Sequence, residues 1–383
     1  MTGLSRPNTK AASVTLLAAG VLAAGLLSSA LAGCTSPAPS SGPGNASAPS
    51  WAPTSTPSGD SGANSPAAGN APASASVTAH NESTSQLCGT SKLVPVSSAA
   101  GLQAALASAH PGETIMLAAG TYAGNFVVTS SGTQSAPITL CGQRNAILNG
   151  GDIGNGYTLH LERASWWHLK GFTVTGAQKG VMADSSDHDL IDGLYVHSTG
   201  DEGIHLRDNS SHDTISNCIV RDTGLLEPFY GEGIYVGSAN KNWCLYSGCG
   251  PDRSDDDVIE GNNIADTTAE NIDIKEGTTG GQITGNQFNG TGMVESAATG
   301  WVNVKGNDWL ITDNVGVNSV KNGFQVHQVL SGWGLDNTFR GNKAVVNGPG
   351  YGFYVQNKRL GTTVSCQNTV SNAGSGFSSV SCA

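Results

Sequence analysis

The sequence predicts an all-β solenoid with a short N-terminal capping helix. Two alternating short phrases and a glycine-rich, charge-poor composition carry this expectation. The first phrase reads small or acidic residue, Gly or a substitute, aliphatic, any residue, aliphatic, polar. It occurs as Glu202-Gly203-Ile204-His205-Leu206-Arg207, Glu232-Gly233-Ile234-Tyr235-Val236-Gly237 and Glu270-Asn271-Ile272-Asp273-Ile274-Lys275. It returns as Gly300-Trp301-Val302-Asn303-Val304-Lys305, Asn322-Gly323-Phe324-Gln325-Val326-His327 and Tyr351-Gly352-Phe353-Tyr354-Val355-Gln356. Successive copies start 30, 38, 30, 22 and 29 residues apart. Strand-like alternation at such a period means one coil per repeat, with like positions stacked about 4.8 Å apart.

In chain order, residues 1–33 read as a leader. Arg6 and Lys10 precede an apolar run from Ala11 to Ala30, and Leu31-Ala32-Gly33-Cys34 resembles a bacterial lipobox, which implies cleavage before Cys34 and lipidation of it. Residues 34–86 are almost entirely Ser, Pro, Ala, Gly, Thr and Asn, too polar and small to bury a core. This predicts a disordered tether reaching roughly 40 Å, which would hold residues 87–383 outside a membrane or in a wall layer. The formal charge of −11 argues against a nucleic-acid partner, and a monomer is expected.

Within 87–383, Leu102, Ala105 and Leu106 have helical spacing and predict a helix across Ser97–Ala109 that covers the open end of the solenoid. Gly112 to Leu117 reads as the first strand and Gly120-Thr121-Tyr122 as its turn. The second phrase, as in Val258-Ile259-Glu260-Gly261-Asn262, predicts an inward ladder of Asn262, Asn286, Asn314 and Asn342. An exported chain permits disulfides; Cys244 with Cys249, Cys366 with Cys382 and Cys88 with Cys141 are the expected pairs, leaving Cys218 buried and free.

The run Pro111-Gly112-Glu113-Thr114-Ile115 with Ala119-Gly120-Thr121-Tyr122, then Pro137-Ile138-Thr139-Leu140 and the repeats, resembles the right-handed parallel β-helix proteins of the pectate-lyase superfamily. That fold carries lyases, hydrolases, epimerases and adhesins, so function rests on the site.

Positions two and four of the phrase are aliphatic and point inward; positions three and five face out. Position zero stacks Glu202, Glu232 and Glu270, a candidate Ca²⁺ site of hard oxygen donors. Position three holds His205, Tyr235, Asp273, Asn303, Gln325 and Tyr354, candidate substrate contacts. Position five holds Arg207, Lys275, Lys305 and His327, candidate catalytic residues on one exposed face, because adjacent ammonium groups lower each other's pKa toward use as a base. Trp301, Trp333, Tyr235, Tyr354 and Trp243 suit sugar stacking. Asp255, Asp256 and Asp257 read as a solvated edge, and the insertion Phe229–Asp257 as one wall of a groove.

Glu270-x-x-x-x-Lys275 resembles the lyase family that includes chondroitinase B and some alginate lyases. The resemblance implies β-elimination of a uronic-acid polymer, with Glu270 on Ca²⁺, Lys275 as base and Lys305 in the assisting role, usually an Arg. That family has a second acid where this chain has Thr268; Glu232 is the substitute on the preceding coil. A non-catalytic carbohydrate-binding or adhesion solenoid is the alternative. A hydrolase pairing Asp273 with Glu232 or Glu270 and a uronate epimerase also remain open.

Overall fold

The structure is a computed structural model that describes residues 84–89 and 92–383; the leader, Cys34 and nearly all of the tether lie outside the described residues. After a short helix, Thr84–Cys88, the chain winds through three parallel sheets, one strand of each per coil. The first sheet has eleven strands, from Leu93–Val96 to Thr363–Val364. The second runs from Gly120–Ala123 through Tyr195–His197 and Asn263–Ala265 to Thr369–Ala373, the third from Phe126–Val128 through Ile204–Arg207 and Ile272–Ile274 to Gly376–Ser378. Two long strands, Ala146–Glu162 and Thr173–Asp184, pass through the corner and belong to both of these sheets.

The helix expected near the N-terminus spans Ala99–Ala107. Ser98 caps it, its hydroxyl accepting from the Gly101 N–H, and Leu102, Ala105 and Leu106 are its buried face. The first strand is Leu93–Val96, one coil earlier than expected, paired with Thr114–Leu117. Gly120-Thr121-Tyr122 is part of a strand, not a turn.

Alternation does what it should. Ile204, Leu206, Ile234, Val236, Ile272, Ile274, Val302, Val304, Phe324 and Val326 are fully buried in one continuous core. The Asn ladder runs Asn262, Asn286, Asn314, Asn342 and continues to Asn368. Each Nδ2 donates to the next Oδ1 at 2.9–3.1 Å, and each Oδ1 also accepts a backbone N–H from the previous coil. Disulfides join Cys88 to Cys141, Cys244 to Cys249 and Cys366 to Cys382, and Cys218 is free and buried. Asp255 and Asp256 lie on outer turns, but Asp257 is fully buried, because the chain turns inward there to begin the strand Val258–Glu260.

Candidate active site

The third sheet holds the functional columns in the register the repeats imply. His205 pairs with Tyr235, Tyr235 with Asp273, Asp273 with Asn303, Asn303 with Gln325 and Gln325 with Tyr354. Strand geometry turns these side chains out of the core, yet His205, Asp273, Asn303 and Gln325 are buried. The expectation of an exposed face is therefore corrected. Stacked polar side chains cover one another, and loops stand over the column at both edges.

The strand Ile234–Val236 divides the insertion Phe229–Asp257, so it contributes to two loops rather than one wall: its first residues end the loop Leu225–Gly231 and the rest forms Ala239–Asp257. Leu225–Gly231 lies beside the Glu column, where Thr268 Oγ1 donates to Pro228 O at 2.9 Å. Ala239–Asp257 lies beside the Lys column. There the Asn240 N–H donates to Glu276 Oε1 at 2.8 Å, and the Tyr246 ring sits 3.6 Å from the Arg207 guanidinium.

Between these edges seven ionisable groups meet. Lys305 Nζ lies 2.6 and 2.7 Å from the two carboxylate oxygens of Asp273, and Lys275 Nζ lies 2.7 Å from Oδ2 of the same group. Lys275 also sits 4.7 Å from the Tyr235 ring centre. Asn303 Nδ2 donates to Glu270 Oε1 at 3.1 Å, and Asn303 Oδ1 lies 2.8 Å from His327 Nδ1. Glu232, Glu270 and Asp273 bring one oxygen each within 4.8 Å of one another. Glu232 Oε2 is buried without a partner among the described residues.

The charges decide what this cluster can do. Burial raises the Asp273 carboxyl, but Lys275 and Lys305 outweigh it and hold Asp273 ionised. Burial and the nearby carboxylates push Glu232 far above the usual range, and burial with Asp273 brings Glu270 to about 7. One carboxylate cannot neutralise two ammonium groups. Burial and the charge of Lys275 accordingly lower Lys305, while Asp273 overcomes burial to hold Lys275 high. Burial and the two lysines Lys305 and Lys321 bring His327 down to about 4, so it is neutral at physiological pH.

Other expected site residues stand apart. Lys179 pairs with Glu202, and His205 Nδ1 lies 3.5 Å from Glu202 Oε1; together they overcome burial and lower Glu202 to about 2. Glu202 is thus neutralised outside the carboxylate triad. Asp184 holds Arg207 through Nε at 2.7 Å and Nη2 at 3.0 Å, two coils before Lys275. Buried His205 points Nε2 to Gly237 O at 3.0 Å. Gln325 is fully buried and donates to Thr299 Oγ1 at 2.7 Å. Trp301 is in the core, with Nε1 donating to Val317 O at 3.1 Å, so it offers no face to a sugar. Gly316 makes room for it: a Cβ there would lie 2.3 Å from the indole. Trp333 is half-buried on an outer turn, 5.9 Å from the Arg253 guanidinium. Tyr235 and Tyr354 remain accessible in part.

Lys179 and Asp184 were missed, although Lys179-Gly180-Val181-Met182-Ala183-Asp184 fits the phrase. A basic residue at position zero hid it. Column zero then pairs Lys179 with Glu202, and column five pairs Asp184 with Arg207.

The triad's donors are the hard oxygens a divalent cation accepts, and the unpartnered oxygen of Glu232 fits one. Asp273 is already saturated by ammonium groups, so Glu232 and Glu270 are the residues that could hold it.

A family model described as Pel9A-like, right handed β-helix region matches residues 82–222. No curated protein matches the chain. Among solved structures, an alginate lyase from Paenibacillus sp. str. FPU-7 is 37% identical, aligned over 77% of this chain and 100% of its own, with a TM-score of 0.71. Pectate lyase Pel9A shares the fold at 18% identity, over 70% of this chain and 72% of its own, with a TM-score of 0.51. With that alginate lyase matched along its whole length, the chain belongs to the family of right-handed parallel β-helix proteins that contains it, and is a polysaccharide lyase-like β-helix.

Proposed function

We propose that the chain is a secreted polysaccharide lyase that cleaves a uronic-acid polymer by β-elimination in the groove over the third sheet. The observation that carries this is one ionised carboxylate, Asp273, shared by two half-buried lysines beside a tyrosine. With Glu232 neutral and Glu270 partly so, the cluster has a surplus of positive charge to receive a sugar carboxylate. That neutralisation acidifies the adjacent ring C–H. Lys275, against Tyr235 at the groove wall, is the base: Asp273 keeps it protonated at rest, so it first gives that proton to solvent and then takes the ring proton as the neutral amine. The electrons of the C–H bond form the ring double bond, the glycosidic C–O bond breaks, and the Tyr235 hydroxyl supplies a proton to the departing oxygen. Lys305 is the positioning residue. It fixes Asp273 through both oxygens and its charge eases loss of a proton from Lys275. Calcium, held by Glu232 and Glu270 when bound, would add positive charge at the substrate carboxylate.

The test is formation of the unsaturated uronyl product on pectate, alginate and glycosaminoglycans, with and without chelator. Lys275→Ala is expected to lower kcat about 10²–10⁴-fold, and Tyr235→Phe at least tenfold. Lys305→Ala removes a like charge and leaves Asp273 to Lys275 alone, raising the pKa of Lys275 and moving the acidic limb of the kcat profile to higher pH. Undiminished product from Lys275→Ala overturns the base assignment. Product on no polyuronate favours a binding module.

We further propose that residues 1–33 direct export and that lipidated Cys34 tethers the domain. Cys34→Ser is expected to move the protein from the membrane fraction to the medium.

A further inference from the structure

The columns of positions three and five do not end at the lysine cluster. His327 lies one coil beyond Lys305 and Tyr354 one coil further, about 10 Å along the solenoid. There a cleft of ≈ 210 Å³ opens, lined by Lys321, His327, Tyr351, Tyr354, Thr299 and Ser375 among others. It is smaller than the roughly 300–1,000 Å³ that hold a drug-sized ligand, which suits a single sugar ring of a longer chain.

Its chemistry is selective. Among the described residues, no acidic side chain lines it. Lys321 is exposed and its charge reaches His327, helping keep that imidazole neutral. Among the described residues, Lys321 is therefore the only charged side chain lining the cleft. The Tyr351 and Tyr354 rings lie 6.3 Å apart with planes 25° from parallel, and Tyr354 is 5.5 Å from His327. The walls are set before a ligand arrives. Asn322 Oδ1 accepts from the Tyr351 N–H at 3.0 Å, and Asn322 Nδ2 donates to buried Gln325 at 3.2 Å.

We propose that this cleft is a subsite for one carboxylate-bearing ring of an acidic polysaccharide, away from the bond being cleaved. Lys321 pairs with the carboxylate and the two tyrosines contact the ring. The inference rests on the uronate reading of the groove and adds what selects the substrate: charge at a second point along the polymer.

Equilibrium binding of hexagalacturonate and hexamannuronate to the full chain carrying Lys275→Ala tests it, with mannohexaose as the neutral probe. Adding Lys321→Ala is expected to weaken a hexauronate about tenfold, the loss of one charge-assisted hydrogen bond, and to leave mannohexaose unchanged. Tyr351→Ala is expected to weaken both kinds of probe. Lys343→Ala, an exposed lysine on the second sheet, is the control and should change neither. In the otherwise wild-type protein, Lys321→Ala should raise KM for the polymer about tenfold with kcat within twofold. Hexauronate binding that is insensitive to Lys321→Ala, or equally sensitive to Lys343→Ala, overturns the subsite. Unsaturated product from the Lys321→Ala protein at wild-type KM keeps the lyase and removes the cleft. Lys321-dependent binding without product from the wild-type chain keeps the cleft and removes the reaction.

Discussion

Glu270 titrates near the middle of the physiological range because burial and Asp273 both oppose its charge. This carboxyl belongs to the surface that would receive a polyanion, so its ionisation has a readable consequence. As pH rises through about 7, Glu270 gains a negative charge and the cluster loses its positive surplus. KM for a polyuronate is therefore expected to rise above neutral pH, and Glu270→Gln to flatten that rise, measured as KM against pH in chelator. If calcium rather than a proton neutralises Glu232 and Glu270, Glu270→Gln instead raises KM at every pH and chelator reproduces the effect in the wild type. The sequence made Glu270, Lys275 and Lys305 legible because position in the repeat fixes which side chains stack. It did not show which charges cancel. Glu202 has the same place in its phrase as Glu270, but Lys179 neutralises it. Trp301 looked like a sugar platform because aromatic character is visible in a sequence, while the space left by Gly316 across the corner is not.

The repeats read well at the level of single elements because each coil is short and its two aliphatic positions must both be buried. The early coils read less well. In Ala146–Glu162 and Thr173–Asp184 the strand continues through a corner, without the turn residues that separate strands elsewhere. The Asn ladder is the clearest element-scale device and gives a direct test. Asn314 accepts from the Asn286 N–H and Nδ2, and donates to Ile283 O and Asn342 Oδ1, in a fully buried turn. Asn314→Ala leaves two buried donors of Asn286 without an acceptor. At about 1–3 kcal/mol for each buried group left unpaired, the loss is expected to be 2 kcal/mol or more. Thermal unfolding should show it as a fall of at least about 4 °C. Asn314→Asp at acidic pH, where the side chain is neutral, is expected to recover part of this.

Across the whole solenoid, stability is close to a sum of coil-to-coil contacts, so a buried column affects the entire domain. Asp189, Asp213 and Asp257 form such a column in the first sheet. Each Oδ1 accepts a backbone N–H from the previous coil, at 2.7, 2.7 and 2.9 Å, and each Oδ2 is buried without a partner among the described residues. Asn337 occupies the same register further along, where its Oδ1 accepts from the Trp309 N–H and its Nδ2 donates to Gly306 O. The aspartates thus stand where the same column further along has the Asn337 amide, and protonation spares each of them a buried charge. Burial, with Asp187, Asp255 and Asp256 nearby, pushes these carboxyls far above their ordinary range. The folded domain then holds more protons than the unfolded chain above the unfolded pKa of about 3.9. Their contribution is complete below that pH and is lost as pH rises through the folded pKa values. Asp213→Asn removes the ionisation while keeping the shape. It is expected to raise Tm at pH 8 by several degrees, to have little effect near pH 4, and to flatten the fall of Tm between them. An equal shift at both pH values would mean that Asp213 is ionised in the folded protein, as it would be with a cation bound against Oδ2.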